Sequence, residues 1–472
     1  MTGLRYVCLS DVHFGAANSL LTSVGDDARA EPLAPSPVLV ALVDCLRSLI
    51  TGGSGARKPT LVLHGDVLDL ALSSNRDSAM AFERFVELAW PARGESLFDD
   101  RVICVPGNHD HALWDGAAKQ LYREVIAAIP PGQPLPRLQH VSPMFSTQVP
   151  APLLSELVAR GSQRRADATK VYPSLGLLSP DGRRGVVISH GHYIESIYRA
   201  QSHLLTLLFP DHQMPDVMSL LEWENGNWID YFWSSMGTTG PTGKGVALIY
   251  NKLQSRDTTN ALLAQLAKGL AARFASPRWL QWFDAKALDL ALEGLVSRMA
   301  GLARNQTQSM LGADAQEGLR WFLERPVLGA LQEELGPRVP VDVTFVFGHT
   351  HKPFQAVDTF AGYDAPVKLF NSGGWVVDTP QANPLEGGAV ILIDEALNVA
   401  SLRMYNESAD AASYAVKVED TGSATGHPGP LCEALGAAID PAAEPWATFS
   451  ARTAHEVERR ATQLRALMKT RF

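Results

Sequence analysis

Cysteine is scarce, long apolar runs are missing and positive charge is in deficit. The four cysteines, Cys8, Cys45, Cys104 and Cys432, are scattered over 472 residues. That spacing offers no disulfide framework and fits a reducing cytosol. Cys8 and Cys104 sit inside apolar strand-like runs, which predicts buried free thiols. No stretch approaches the roughly 20 apolar residues of a membrane-spanning helix. The first residues, MTGLRYVCLSDVHFG, lack the charged start and long apolar segment of a signal peptide. These absences predict a soluble, cytoplasmic chain that meets a membrane peripherally at most. The formal net charge is −9, which argues against a broad footprint for duplex nucleic acid. It leaves room for a small phosphorylated substrate, because bound cations supply local positive charge.

What is present is an ordinary globular composition, 46% hydrophobic, in a chain long enough for two or three units. Short β-branched runs predict strands at Leu4–Ser10, Thr60–His64, Arg101–Val105, Gly185–Ser189 and Val343–Phe347, then at Val367–Phe370, Ala389–Ile393 and Ala400–Met404. Helical spacing covers Pro37–Ile50 and Ser78–Ala89. The polar, Pro- and Gly-containing stretch Phe14–Ser36 reads as a long loop. Strands alternating with helices predict an α/β layer architecture. Between Tyr193 and Val341 the texture turns helical, with Leu/Ala-rich windows such as Asn260–Phe274 and Ala285–Arg304. Six of the ten tryptophans fall there: Trp223, Trp228, Trp233, Trp279, Trp282 and Trp321. After about Asn406 the chain is polar and rich in Gly, Ala and Pro until a helix predicted over Thr453–Lys469.

Five polar signatures follow the apolar runs in order: Asp11-Val12-His13, Gly65-Asp66-Val67-Leu68-Asp69, Gly107-Asn108-His109-Asp110, His190-Gly191-His192 and Gly348-His349-Thr350-His351. Any one alone reads as a turn or a helix cap. Together, Asp11, Asp66, Asn108, His190 and His349 stand at or just past the carboxyl ends of predicted strands, the edge where open α/β sheets bind ligands. Asp11 and His13, two apart on extended backbone, would point to one side. Asp66 can bridge two ions. The mixed nitrogen and oxygen donors suit Mn, Fe, Co or Zn better than Ca or Mg.

The ordered set resembles the calcineurin-like metallophosphoesterases. That group includes Ser/Thr phosphoprotein phosphatases, cyclic-nucleotide and glycerophosphodiester phosphodiesterases, and bacterial lipid A-precursor pyrophosphatases. The resemblance covers roughly residues 1–195 and 342–405. It implies a two-sheet α/β sandwich flanked by helices, with 196–341 as a helical insertion or lid and 406–472 as a C-terminal extension. It implies two divalent cations, one held by Asp11, His13, Asp66 and His351, the other by Asp66, Asn108, His190 and His349. It gives His109 the protonation of the leaving oxygen. The carboxylate orienting His109 is Asp69, with Asp110 next door as the alternative. The implied reaction is hydrolysis of a phosphomonoester, phosphodiester or pyrophosphate by a water activated between the cations.

Other readings compete. A nuclease would need a basic groove with stacking aromatics, which the charge disfavours. A non-catalytic scaffold on the same fold would be expected to have lost ligands, and this chain keeps them all. The insertion, with Leu204-Leu205-Thr206-Leu207-Leu208-Phe209 and its tryptophans, could cover a greasy phosphoester, touch a membrane surface, form a homo-oligomer contact or bury its own core. His192 could contact substrate or be structural, and Arg199 is a phosphate candidate. Arg183 and Arg184 read as solvated turn residues.

Overall fold

A computed structural model of the chain describes residues 3–51, 57–146, 149–164, 167–234 and 309–470. The windows Asn260–Phe274 and Ala285–Arg304, with Trp279 and Trp282, lie outside the described residues. The strands are β1 Leu4–Leu9, β2 Thr22–Val24, β3 Ala30–Pro35, β4 Thr60–Leu63, β5 Arg101–Cys104, β6 Val149–Pro150, β7 Asp167–Lys170, β8 Ser174–Leu178, β9 Arg184–Ser189, β10 Asp342–Phe347, β11 Phe354–Asp358, β12 Val367–Asn371, β13 Gly387–Asp394, β14 Val399–Asn406 and β15 Lys417–Glu419. The α-helices are α1 Pro37–Thr51, α2 Asn75–Ala89, α3 Ala112–Ala128, α4 Pro152–Ser162, α5 Ala200–Leu208, α6 Met218–Ile229, α7 Ala313–Phe322, α8 Leu328–Leu335, α9 Pro430–Ala438 and α10 Trp446–Thr470.

The class is mixed α/β. One sheet runs β15-β14-β13-β1-β4-β5-β7-β6 and the other β11-β12-β10-β9-β8. The centres are parallel, β1 with β4, β5 and β7, and β9 with β10 and β12, while antiparallel strands close the edges.

Strand periodicity sorts the side chains into layers. Cys8, Val62, Ile103, Ile391 and Ile393 of the first sheet share one buried cluster with Leu175, Val186, Ile188, Val346 and Phe370 of the second. Their neighbours Val7, Leu9, Leu61, Leu63, Val102 and Cys104 face the other way, against α1, α2 and α4. The outer face of the second sheet, Val343, Phe345, Phe347 and Leu369, is covered by Leu221, Leu319, Phe322 and Leu331 of the inserted helices. Both faces of both sheets are therefore buried, which is why the parallel strands read as continuous apolar runs. Each such buried large side chain contributes about 1.5–3 kcal/mol of hydrophobic stabilisation.

Local signals set the helix starts. Ser36 Oγ accepts from Val38 N at 3.2 Å ahead of α1, whose first residue is Pro37. Ser74 Oγ accepts from Asp77 N at 3.1 Å, so α2 begins three residues before the apolar periodicity does.

Two expectations need correction. The stretch Phe14–Ser36 is not all loop, since β2 and β3 pair as an antiparallel ribbon. Arg184 opens β9 rather than lying in a free turn, and although partly exposed it is paired: Nε donates to Asp342 Oδ2 at 3.1 Å and Nη1 to Ala396 O at 2.7 Å. The polar C-terminal stretch supplies edge strand β15, and Leu431, Leu435, Trp446, Phe449 and Val457 enter the first sheet's outer core. Buried Arg460 donates to Ala17 O and Thr22 O at 3.0 and 2.7 Å, tying α10 to the ribbon region. All four cysteines are buried free thiols. Among the described residues no helix is long and apolar enough to cross a membrane.

Candidate metal centre

Parallel strands deliver their carboxyl ends to one rim. Asp11 follows β1, Asp66 follows β4, Asn108 follows β5, His190 follows β9 and His349 follows β10. The loops are stitched to one another: Asp11 N donates to Gly65 O, His13 N to Asp66 O, Trp375 N to Asp11 O and Gly348 N to His190 O, each at 2.9 Å. Ser10 Oγ lies 2.6 Å from Ser372 Oγ, a further link between the two sheets.

The backbone at this rim is strained. Asp11, His13, Asp66, His349 and His351 all have positive φ, between 46° and 68°. That conformation costs an L-residue about 1–2 kcal/mol, and five such residues gather at one edge, a clustering that singles out a candidate site. It also corrects the expected geometry of Asp11-Val12-His13. The two side chains converge through left-handed turns, not along extended backbone. The preceding glycines make the crowding possible. At Gly65, with φ +101°, a Cβ would stand 2.1 Å from His190 Nδ1, and at Gly348 it would stand 2.1 Å from Asp11 Oδ2.

No expected site residue is more than 3% exposed. Three sets of donor atoms cluster: Asp11, His13 and His351; Asp66, His190 and His349; and His13, Asp69 and His109. His351 Nε2 lies 3.4 Å from Asp11 Oδ1. His190 Nε2 lies 3.0 Å from Asn108 Oδ1 and 3.2 Å from His349 Nδ1. Asp66 joins the sets. Its Oδ1 accepts from His109 N at 2.8 Å, while Oδ2 stands 3.7 Å from His13 Nε2 and 3.4 Å from His190 Nε2.

The residues fit metal ions. Asp66 Oδ2 and His13 Nε2 are buried with no hydrogen-bond partner, a costly condition unless something else satisfies them. Donors held about 2.0–2.2 Å from one cation stand roughly 3–3.5 Å apart, close to the separations found. The charges agree. Burial alone would raise Asp11 and Asp66, but the imidazoles, His190 foremost, hold both carboxyls well below the usual range. Burial would lower His190, but Asp66 and Asp11 raise it to about 9. The two carboxylates thus favour the charged form of His190, as they would favour a cation.

Asp69 reaches two imidazoles at once, His109 Nδ1 from Oδ1 and His13 Nδ1 from Oδ2, each at 3.2 Å. Asp110 is engaged elsewhere, accepting from Gly107 N at 2.7 Å and Val67 N at 2.8 Å. Two carboxylates escaped the sequence reading. Asp378 Oδ2 lies 2.8 Å from His351 Nδ1, and Glu195 Oε2 lies 3.1 Å from His349 Nε2. The only sequence hint of Glu195 is a lone acid in the apolar stretch after His192.

His192 packs among aromatic rings, its Nε2 3.4 Å from Tyr172 Oη, and burial pushes it well below the ordinary histidine value. Buried His64 is lowered to about 4 in the same way. The Arg199 guanidinium stacks over Trp321 at 4.6 Å. On the insertion side, Leu204, Leu207, Phe209 and Trp223 are exposed. Two cavities of about 210 and 860 Å³ also open there, and no signature residue lines either.

No protein-family model matches the chain, and no curated protein matches it either.

Proposed function

We propose that this chain is a metal-dependent phosphoesterase of the calcineurin-like kind. In this reading one divalent cation is held by Asp11, His13, Asp66 and His351, and a second by Asp66, Asn108, His190 and His349. Mn, Fe, Zn and Co suit the donors. Two such ions would supply Lewis acidity, lowering the pKa of a bound water and neutralising charge on the phosphoryl oxygens. The chain's own residues do the rest. Asn108 contributes a neutral oxygen, so the second ligand set carries less charge than the first. Asp69 holds the His109 ring by Nδ1, which turns Nε2 to deliver the proton to the leaving oxygen. Its second oxygen fixes His13 at the same time, so donor and ligand keep a constant spacing. Burial excludes bulk water, which strengthens each of these interactions.

The observation that carries the reading is Asp66 Oδ2. One buried carboxylate oxygen without a hydrogen-bond partner faces His13 on one side and His190 on the other. That is the position a shared ligand requires. The direct test is hydrolysis of an aryl phosphate or a bis-aryl phosphate by the purified protein supplied with Mn²⁺. Absence of turnover with every divalent metal across a broad substrate panel would favour a binding scaffold instead.

A further inference from the structure

Glu195 sits between two short 3-10 turns, His192–Ile194 and Ser196–Arg199, and is 2% exposed. Its Oε2 lies 3.1 Å from His349 Nε2, while His349 Nδ1 faces His190 Nε2 at 3.2 Å. An imidazole donating from Nε2 to a carboxylate keeps its Nδ1 lone pair for a cation. Glu195 therefore selects the tautomer that ligation requires and fixes the plane of the ring. Tyr198 adds an edge-on contact to the same ring, with centroids 4.9 Å apart.

The turn carrying Glu195 is gripped by the inserted helices. Asp314 Oδ2, at the start of α7, accepts from Ser196 N at 2.9 Å. Trp228 Nε1 of α6 donates to Ile197 O at 2.9 Å. Gly318 brings the α7 backbone so close that a Cβ there would stand 1.7 Å from Ile194 O. Nothing larger than glycine fits without displacing the residue next to Glu195.

We propose that Glu195 is a positioning residue for the cation bound through His349, and that α7 of the insertion sets its place. The insertion thereby acts on metal occupancy rather than only covering the second sheet. The inference rests on the two-cation reading above.

The test is equilibrium dialysis of the full chain against Co²⁺, read by elemental analysis and by the visible absorption of bound Co²⁺. Wild-type protein takes up two cations. Glu195→Gln keeps one at wild-type affinity and binds the second 10–100-fold more weakly, with the melting temperature of the metal-free protein unchanged. Glu195→Asp, which retains the charge, restores part of that affinity. Gly318→Ala weakens the same cation without touching a ligand. Wild-type uptake by Glu195→Gln overturns the inference, as does equal loss of both cations together with a lower melting temperature. A wild-type protein that takes up no second cation overturns the two-cation reading, and this inference with it.

Discussion

Two buried histidine–carboxylate clusters lie along one chain of contacts in this protein, and they differ in how far protein groups engage their carboxylates. In the first, at the strand ends, Asp66 Oδ2 and His13 Nε2 have no hydrogen-bond partner and the backbone carries positive φ. In the second, Glu222 Oε1 lies 2.7 Å from His111 Nε2, while Oε2 accepts from Tyr172 Oη at 2.8 Å and from Tyr193 Oη. His111 itself has an ordinary φ of −53°. Residue type and burial are the same in both. What separates them is that the carboxylate of the second is fully engaged by protein groups, whereas that of the first is held ionised, partly unbonded and on strained backbone. The donor atoms of the first arrangement could hold a metal ion. In the second, His111 Nδ1 is likewise buried without a hydrogen-bond partner, 3.7 Å from Asp230 Oδ1, and the cluster links α3 to the inserted helix α6.

The comparison breaks most sharply at Asp66. Asp66→Asn removes the charge of the shared oxygen and Asn108→Ala removes a donor. Both variants are expected to lose turnover to background and to lose bound metal, with the far-ultraviolet circular dichroism of the wild type. Wild-type rates in both would end the assignment of the strand-end cluster as the site.

His109 belongs to the same cluster, and the proposed function gives it another part. His109→Ala is expected to lower turnover by about 10²–10⁴-fold, the usual worth of a general acid, with metal content unchanged. Metal loss in that variant would move His109 from proton donor to ligand.

The strand-end cluster was legible because each signature follows an apolar strand run and precedes a turn, a local pattern. The sequence favoured Asp69 as the partner of His109, with Asp110 as the alternative. The structure separates them by what each already holds, since Asp110 spends both oxygens on backbone amides. Glu195 and Asp378 stayed invisible for a different reason. Glu195 meets His349 across 154 residues, a contact made by topology rather than spacing. The β2–β3 ribbon was hidden by its Pro, Gly and Asp content, and the place of β15 and α10 in the first sheet's core by their polar sequence. The second cluster was illegible altogether, since neither His111 nor Glu222 falls in a recognisable pattern and each has meaning only beside the other.

That second cluster gives the smallest effect on activity and the clearest on stability. Burial by itself would lower His111, but Glu222 and then Asp230 outweigh it and raise the imidazole to about 10. The unfolded chain has the ordinary value near 6.5. Because the folded value is the higher one, the pair stabilises fully below about pH 6.5. Its contribution declines as pH rises and is gone above about 10. His111→Ala, which leaves Glu222 buried with its two tyrosine hydroxyls but without its charged partner, is expected to cost up to about 3–5 kcal/mol near neutrality. Denaturant melts between pH 6 and 10 should show wild type and variant converging as pH rises, with metal uptake and turnover per folded molecule alike in both. A variant that is equally destabilised at every pH would mean that His111 acts through packing, and one that loses metal would erase the distinction between the two clusters.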